Sequence, residues 1–212
     1  YCVSNDEEEY RLEQKIISRL LSSGRWLCDG EALVDAIRKF EAICVPDGSF
    51  HPDFLIVTAG YVFDDGNNSV IGIGGHRVPG PASSQCSYRS ELFGVYLSLL
   101  TTKILCDKYD VQSGRLVIGC DNIGALNKGL GEQFFPSIQH KHHDLIWAIH
   151  SLRNEMPIEI GFRHVQGHQD KKCVKQLDRW AQLNLMADSE AKRHLSWYIQ
   201  NPNHDRDLTF IT

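Results

Sequence analysis

Over residues 9–21 the chain places Leu12, Ile16 and Leu20, with Ile17 and Leu21 beside them, on one stripe of 3.6-residue period, which predicts an amphipathic helix. Ser4 or Asn5, followed by acidic residues, suits its electropositive start. Asp29-Gly30 breaks the pattern, and a second short helix is expected over 31–40. From residue 42 the texture becomes strand-like. Residues 42–45 are a short apolar run, 54–63 and 70–76 read as strands, and Asp64-Asp65-Gly66-Asn67-Asn68 between the latter two is a strong turn signal, so three strands form a meander. There follow a long helix over about 87–107, a buried strand over 115–120, a short helix over 122–128, and a loop containing Gly129, Gly131 and Pro136. A helix near 137–154, a strand over 158–165 with period-two alternation, and a final helix over about 176–194 complete the pattern.

Three strands and then alternating helices and strands predict an α/β fold. The sheet is expected to be mixed and five-stranded, three antiparallel strands followed by two parallel ones, with helices on both faces. The expected organisation is a helical lead-in or connector at 1–41, one domain at 42–194, and a tail at 195–212. The lead-in holds no chemical motif and reads as packing or as a link to a preceding domain.

No run of eighteen apolar residues is present, and the chain opens on acids rather than on a basic signal segment, which argues against a membrane anchor and against secretion. The first residue is Tyr1 rather than Met, which fits a piece of a longer polypeptide or a processed product. Seven cysteines, odd in number and never closer than 14 residues, suggest neither a disulfide framework nor a CxxC zinc knuckle, and point to reduced thiols in an intracellular setting. A net charge of −5 at first disfavours nucleic acid, whose phosphates want Lys and Arg. Residues 1–41, with nine acids and six bases, supply −3 of it, and two divalent cations would turn the remaining −2 positive.

Candidate chemistry lies in four carboxylates. Asp47 follows the first strand, Glu91 lies in the early turns of the long helix, Asp121 ends the fourth strand, and Asp188 sits on the final helix with Asn184 one turn earlier on the same face. Strand ends in such sheets are where side chains converge. Taken singly each acid is ordinary, because Asp-Gly is a turn and an acid near a helix start complements the dipole. Carboxylates converging on one spot repel unless protonated or bound to hard divalent ions, which prefer oxygen ligands. Two such ions about 4 Å apart would stabilise both the attacking water and the leaving oxygen of a phosphodiester. His168 sits in a Gly-containing loop between the last strand and the last helix, and is the one of ten histidines suited to proton transfer. A zinc site from His164, His168 and Cys173 is disfavoured by the lack of a CxxC pair.

The segments Asp47-Gly48-Ser49, Ser87-Tyr88-Arg89-Ser90-Glu91-Leu92, Cys120-Asp121-Asn122, Val165-Gln166-Gly167-His168 and Asn184-Leu185-Met186-Ala187-Asp188 together resemble type 1 ribonucleases H, particularly the domains attached to retroelement reverse transcriptases. The resemblance covers roughly residues 42–194. It implies an endonuclease that cuts the RNA strand of an RNA/DNA hybrid, with Asp47, Glu91, Asp121 and Asp188 holding two Mg²⁺ ions, for which Mn²⁺ can substitute. It implies that His168 helps protonate the leaving group or release product. Gly48, Ser49, Asn122 and Asn184 would lie near the substrate backbone and its 2′-hydroxyls. A fused or associated reverse transcriptase polymerase is the expected protein partner.

Some features depart from that pattern. Pro46 removes a ladder donor from what should be a central strand, which makes Asp53 the fallback for Asp47. The stretch between His168 and Asp188 is long, and its Lys171, Lys172 and Lys175 either meet phosphates or form a solvated loop. Between Asp121 and the last strand only Lys128 and Lys141 are lysines, so hybrid affinity is expected to draw on another domain. Two rival readings are an integrase or transposase of the same fold, which needs three acids and no Gly-His element, and a non-catalytic scaffold module.

Overall fold

A computed structural model describes residues 24–132, 134, 136–167 and 177–202, with Ser18 and Ser22. The helix expected over 9–21, the loop holding His168 and the segment 203–212 lie outside the described residues, save Ser18. Among the described residues six strands and five α-helices run in the order β1 (Arg25–Trp26), α1 (Glu31–Arg38), β2 (Ala42–His51), β3 (Ile56–Asp64), β4 (Val70–Arg77), α2 (Ser87–Lys108), β5 (Arg115–Cys120), α3 (Ile123–Leu130), α4 (His143–Glu155), β6 (Glu159–His164) and α5 (Arg179–Gln200). One sheet holds all six strands in the order β1-β4-β3-β2-β5-β6. The β2-β3-β4 meander is antiparallel, and β5 and β6 join in parallel, as the sequence pattern predicts. The sixth strand is the two-residue β1, which pairs with the outer edge of β4.

β3 is buried along its whole length, which is why 56–63 reads as an apolar run without alternation. Helices cover it from both sides. α2 supplies Leu92, Phe93, Val95, Leu97 and Leu99 to the larger core, and α5 sets Leu183 and Ala187 against Val45 and Val62 on the opposite face. The α1 side chains Leu33, Val34 and Ile37 are buried in the same core as α2. Among the described residues no helix is long and apolar enough to cross a membrane.

Small residues let both helices approach closely. A Cβ at Gly60 of β3 would lie 2.5 Å from the Ala187 carbonyl oxygen and 2.6 Å from the Ala191 nitrogen, so the α5 backbone rests directly on the sheet. Thr58 fastens the same contact by donating to the Ala191 carbonyl at 2.8 Å. On the other face Gly94 of α2 admits Pro46, and a Cβ at Gly48 would meet Ser90 Oγ. α5 is further anchored by Arg179, which donates from Nε at 3.1 Å and also from Nη2 to the fully buried Asp64.

β2 runs through Pro46 and Asp47 to His51 instead of ending near residue 45. The proline is tolerated because parallel pairing with β5 stops at Cys44, so from Val45 onward β2 is bonded only to β3. That divergence opens the sheet between β2 and β5. β3 begins at Ile56, two residues later than expected, because Leu55 adopts a left-handed conformation (φ 50°) in the turn after β2. α4 begins at His143 rather than near 137, since His142 is also left-handed (φ 63°) and residues 137–140 form a separate turn. α5 starts at Arg179, capped by Asp178 accepting from the Ala181 nitrogen at 2.8 Å, and its last turns occupy residues expected in the tail, where Leu195 and Tyr198 pack with Ile56.

Gly60→Ala should therefore cost about 1–3 kcal/mol in denaturant unfolding, as overpacking against backbone does. Gly129→Ala is the contrast: its nearest neighbours would be Ile149 carbons at 3.4 Å, ordinary contact, so the helix-propensity gain of up to about 1 kcal/mol should make it neutral or stabilising. Equal effects at the two positions would contradict the close-approach account.

Candidate active site

The divergence of β2 from β5 leaves a notch whose walls carry the four acids. Asp47 stands on β2 directly opposite Gly60, on the side of the strand that faces α5. Glu91 is in the second turn of α2, against the other side of β2. Asp121 follows the last residue of β5, and Asn122 behind it caps α3 by accepting from the Ala125 nitrogen at 3.1 Å. Asp188 neighbours Ala187, the residue pressed onto Gly60. Four elements thus deliver one carboxylate each.

The charges feel one another. Burial, followed by the negative charges of Asp121 and Asp188, pushes the Asp47 carboxyl up to about 7, even though the Gly48 amide donates to its Oδ1 at 2.6 Å. Glu91 is raised well above the ordinary carboxylate range by burial and then by Asp47 and Asp121. Desolvation and like-charge repulsion both favour the protonated form, and a bound cation reverses both. Lys192, one turn along α5, donates to Asp188 Oδ2 at 2.6 Å and offsets part of the negative charge.

The donor set suits hard divalent ions, because the converging groups are carboxylate oxygens in a partly dry notch. A second sign is Asn184. It is 4% exposed, its Nδ2 donates to Asp47 Oδ2 at 3.4 Å, and among the described residues no donor reaches its buried Oδ1. A polar atom left without a partner at such a place is suited to an ion's water shell. Asp47, Glu91, Asp121 and Asp188 are the residues that would hold the ions.

The other expected site residues fall as follows. Gly48 is pinned between Asp47 and Ser90, and its role in packing is plain from the absent Cβ. Ser49 is half-buried on β2 opposite Thr58. Asn122 spends its Oδ1 on the helix cap. Asn184, expected beside the substrate, donates to Asp47 at 3.4 Å. Asp53 is exposed in the turn after β2, away from the notch, so Asp47 and not the fallback joins the cluster. His168, Lys171, Lys172, Cys173 and Lys175 lie outside the described residues. The described part of the loop that leads to His168 does reach the site, because a Cβ at Gly167 would lie 2.1 Å from Asp121 Oδ2, so any larger residue there would have to displace that carboxylate.

Three features were not anticipated from the sequence. Cys120 reads there as the end of a buried strand, yet its thiol points at Glu91 Oε2 at 3.7 Å. Arg89, 2% exposed, grips Asp144 at the start of α4 with two bonds of 2.5 and 3.0 Å and the Pro79 carbonyl with two more, which fixes the segment entering α2. Lys192 is four residues past Asp188, a helical spacing that could have flagged it.

No protein-family model matches this sequence, and no curated protein matches it. Solved structures do. LC11-RNase H1, isolated from compost by a metagenomic approach, superposes with a TM-score of 0.54 at 13% identity, covering 76% of this chain and 99% of that one. The crystal structure of LC11-RNase H1 in complex with RNA/DNA hybrid gives a TM-score of 0.52 at 10% identity, covering 73% and 99%. The fold is thereby that of ribonucleases H.

The raised Asp47 carboxyl fixes the sign of a pH effect. Its folded-state value lies above its unfolded one, so its contribution to stability is present below about pH 4 and is lost as pH rises through about 7. In chelator, Asp47→Asn should match the parent at low pH and exceed it increasingly toward pH 7 and above, by about 2–4 kcal/mol at most. Mg²⁺ should raise the melting temperature of the parent more than that of the variant. Parallel stability curves for the two proteins from pH 4 to 8 would refute the clustering.

Proposed function

We propose that this chain is a metal-dependent endonuclease that hydrolyses the RNA strand of RNA/DNA hybrids, serving as the nuclease module of a retroelement reverse transcriptase. The observation that carries the reading is the convergence of four carboxylates from β2, α2, β5 and α5 in the notch of a ribonuclease H fold. The retroelement assignment rests on the resemblance of the motifs around those acids. The hybrid as substrate is supported by the similarity to LC11-RNase H1, whose structure was solved in complex with one.

Bound Mg²⁺ or Mn²⁺ would supply an activated water and stabilise the charge on the leaving oxygen. The chain's own residues supply position. Asn184 and the Gly48 amide hold the two oxygens of Asp47. Gly167 lies against Asp121, and His168, the next residue in sequence, is the candidate to give a proton to the departing 3′-oxygen. Ser49 and Asn122 flank the acids and are the candidates for contact with the ribose 2′-hydroxyl, the group that separates RNA from DNA. Lys128 lies 5.6 Å over the Tyr88 ring at the start of α2, a cation–π contact that would hold its ammonium for a substrate phosphate.

The test is Mg²⁺-dependent cleavage of labelled RNA/DNA hybrid beside RNA/RNA and DNA/DNA duplexes, with the expected product from the hybrid alone. Asp121→Asn should fold normally, bind hybrid as well as the parent or better for want of one negative charge, and cleave at near background. Retention of more than about a tenth of the parent rate, a barrier change of only about 1.4 kcal/mol, would place the reaction elsewhere. Strand transfer of DNA ends in the same assay would favour the integrase alternative.

A further inference from the structure

The thiol of Cys120 is the group the proposed hydrolysis does not use. It is completely buried, its Sγ lies 3.7 Å from Glu91 Oε2, and the Asn122 backbone amide points at the sulfur at 3.4 Å. One carboxylate oxygen each from Glu91 and Asp121 and the Cys120 sulfur all stand within 4.8 Å of one another. Asn184, with its buried Oδ1 that no donor among the described residues reaches, lies on Asp47, which raises Glu91 and is itself raised by Asp121. Two of the oxygen donors proposed for hard ions therefore share their space with a soft ligand.

We propose that Glu91, Cys120 and Asp121 form a mixed sulfur–oxygen site that captures a thiophilic divalent cation, Zn²⁺ or Cd²⁺, in competition with Mg²⁺. Metal–sulfur and metal–oxygen bonds of about 2.3 and 2.1 Å bring the donors of a tetrahedral site to roughly 3.5 Å from one another. The observed separation asks for a movement of about 1 Å, within reach of Glu91 side-chain torsions. As the metal–sulfur bond forms the S–H bond breaks and its proton leaves to solvent. Thiolate selects for zinc and its heavier congener, whereas Mg²⁺ has no use for sulfur, so the site discriminates by ligand softness. A captured soft ion ties up Glu91 and Asp121, and on the nuclease reading proposed above it inhibits cleavage.

The experiment is titration of the full chain with Cd²⁺, read by the ultraviolet cadmium–thiolate charge-transfer absorption and by calorimetry, with Mg²⁺ as competitor. The parent should show one saturable charge-transfer band that Mg²⁺ diminishes. Cys120→Ser should lose that band and bind Cd²⁺ at least about tenfold more weakly, the lower edge of what losing a metal-site partner costs. A band that survives in Cys120→Ser belongs to the other six cysteines and overturns the proposal, as does a parent without a band. Should Cys120→Ser fail to fold by circular dichroism, Glu91→Gln decides: it keeps the sulfur and removes one oxygen ligand, and unchanged Cd²⁺ affinity overturns the proposal. Hybrid cleavage with Mg²⁺ is measured on a cadmium-free portion of the same preparation. Cleavage without the band defeats the thiolate site alone, and the band without cleavage defeats the nuclease reading alone.

Discussion

Everything at the candidate site depends on how near α5 can come to the sheet. At Gly60 the helix backbone occupies the space a side chain would fill, and Ala187 and Ala191 are the residues that meet it. Gly60 is paired with Asp47, and Asp188 follows Ala187, so one glycine sets the distance between a strand acid and a helix acid. Gly48 and Gly94 play the equivalent part for α2 on the other face, where Ser90 and Pro46 fill the room and Glu91 follows in sequence. Close packing of this kind is stiff, since interiors have few voids into which a helix can shift.

That stiffness has an electrostatic consequence. With the backbones fixed, the carboxylates cannot drift apart to relieve their repulsion, and the raised Asp47 and Glu91 are the result. Elsewhere in the fold buried carboxylates are paired with arginines. Arg179 holds Asp64 at the start of α5, Arg89 holds Asp144 between α2 and α4, and Arg25 and Arg193 meet the buried Glu190, whose carboxyl burial alone would raise but which hydrogen bonds from His194 and Arg193 hold well below its usual range. These pairs tie the helices to the sheet and to each other.

The thiol of Cys120 gives the same centre a second character. Carboxylates alone favour hard ions, and a sulfur within reach of two of them adds affinity for soft ones. Selectivity at such a site depends on which ion is offered and on how freely Glu91 can rotate toward the sulfur.

The order of the five long strands and the helices between them, and Asp121 at the end of β5, were legible in the sequence, because periodicity, turn residues and the Cys-Asp-Asn segment are local signals, whereas Asp47 lies within β2 and not after it. The burial of β3 and α2 on all sides was legible only as an absence of alternation, which tells of covering on both faces without naming the cover. What tertiary structure decided was contact between residues far apart in the chain. Pro46 is harmless because β5 leaves β2 at Cys44, a fact of sheet divergence that no run of residues encodes. Asn184 turns to Asp47 across 137 positions, Arg89 finds Asp144 across 55, and Cys120 finds Glu91 across 29. Local rules fix what each segment is, whereas the approach of backbones at Gly60 and Gly48 fixes which side chains share a space, and shared space is what gives these acids their chemistry.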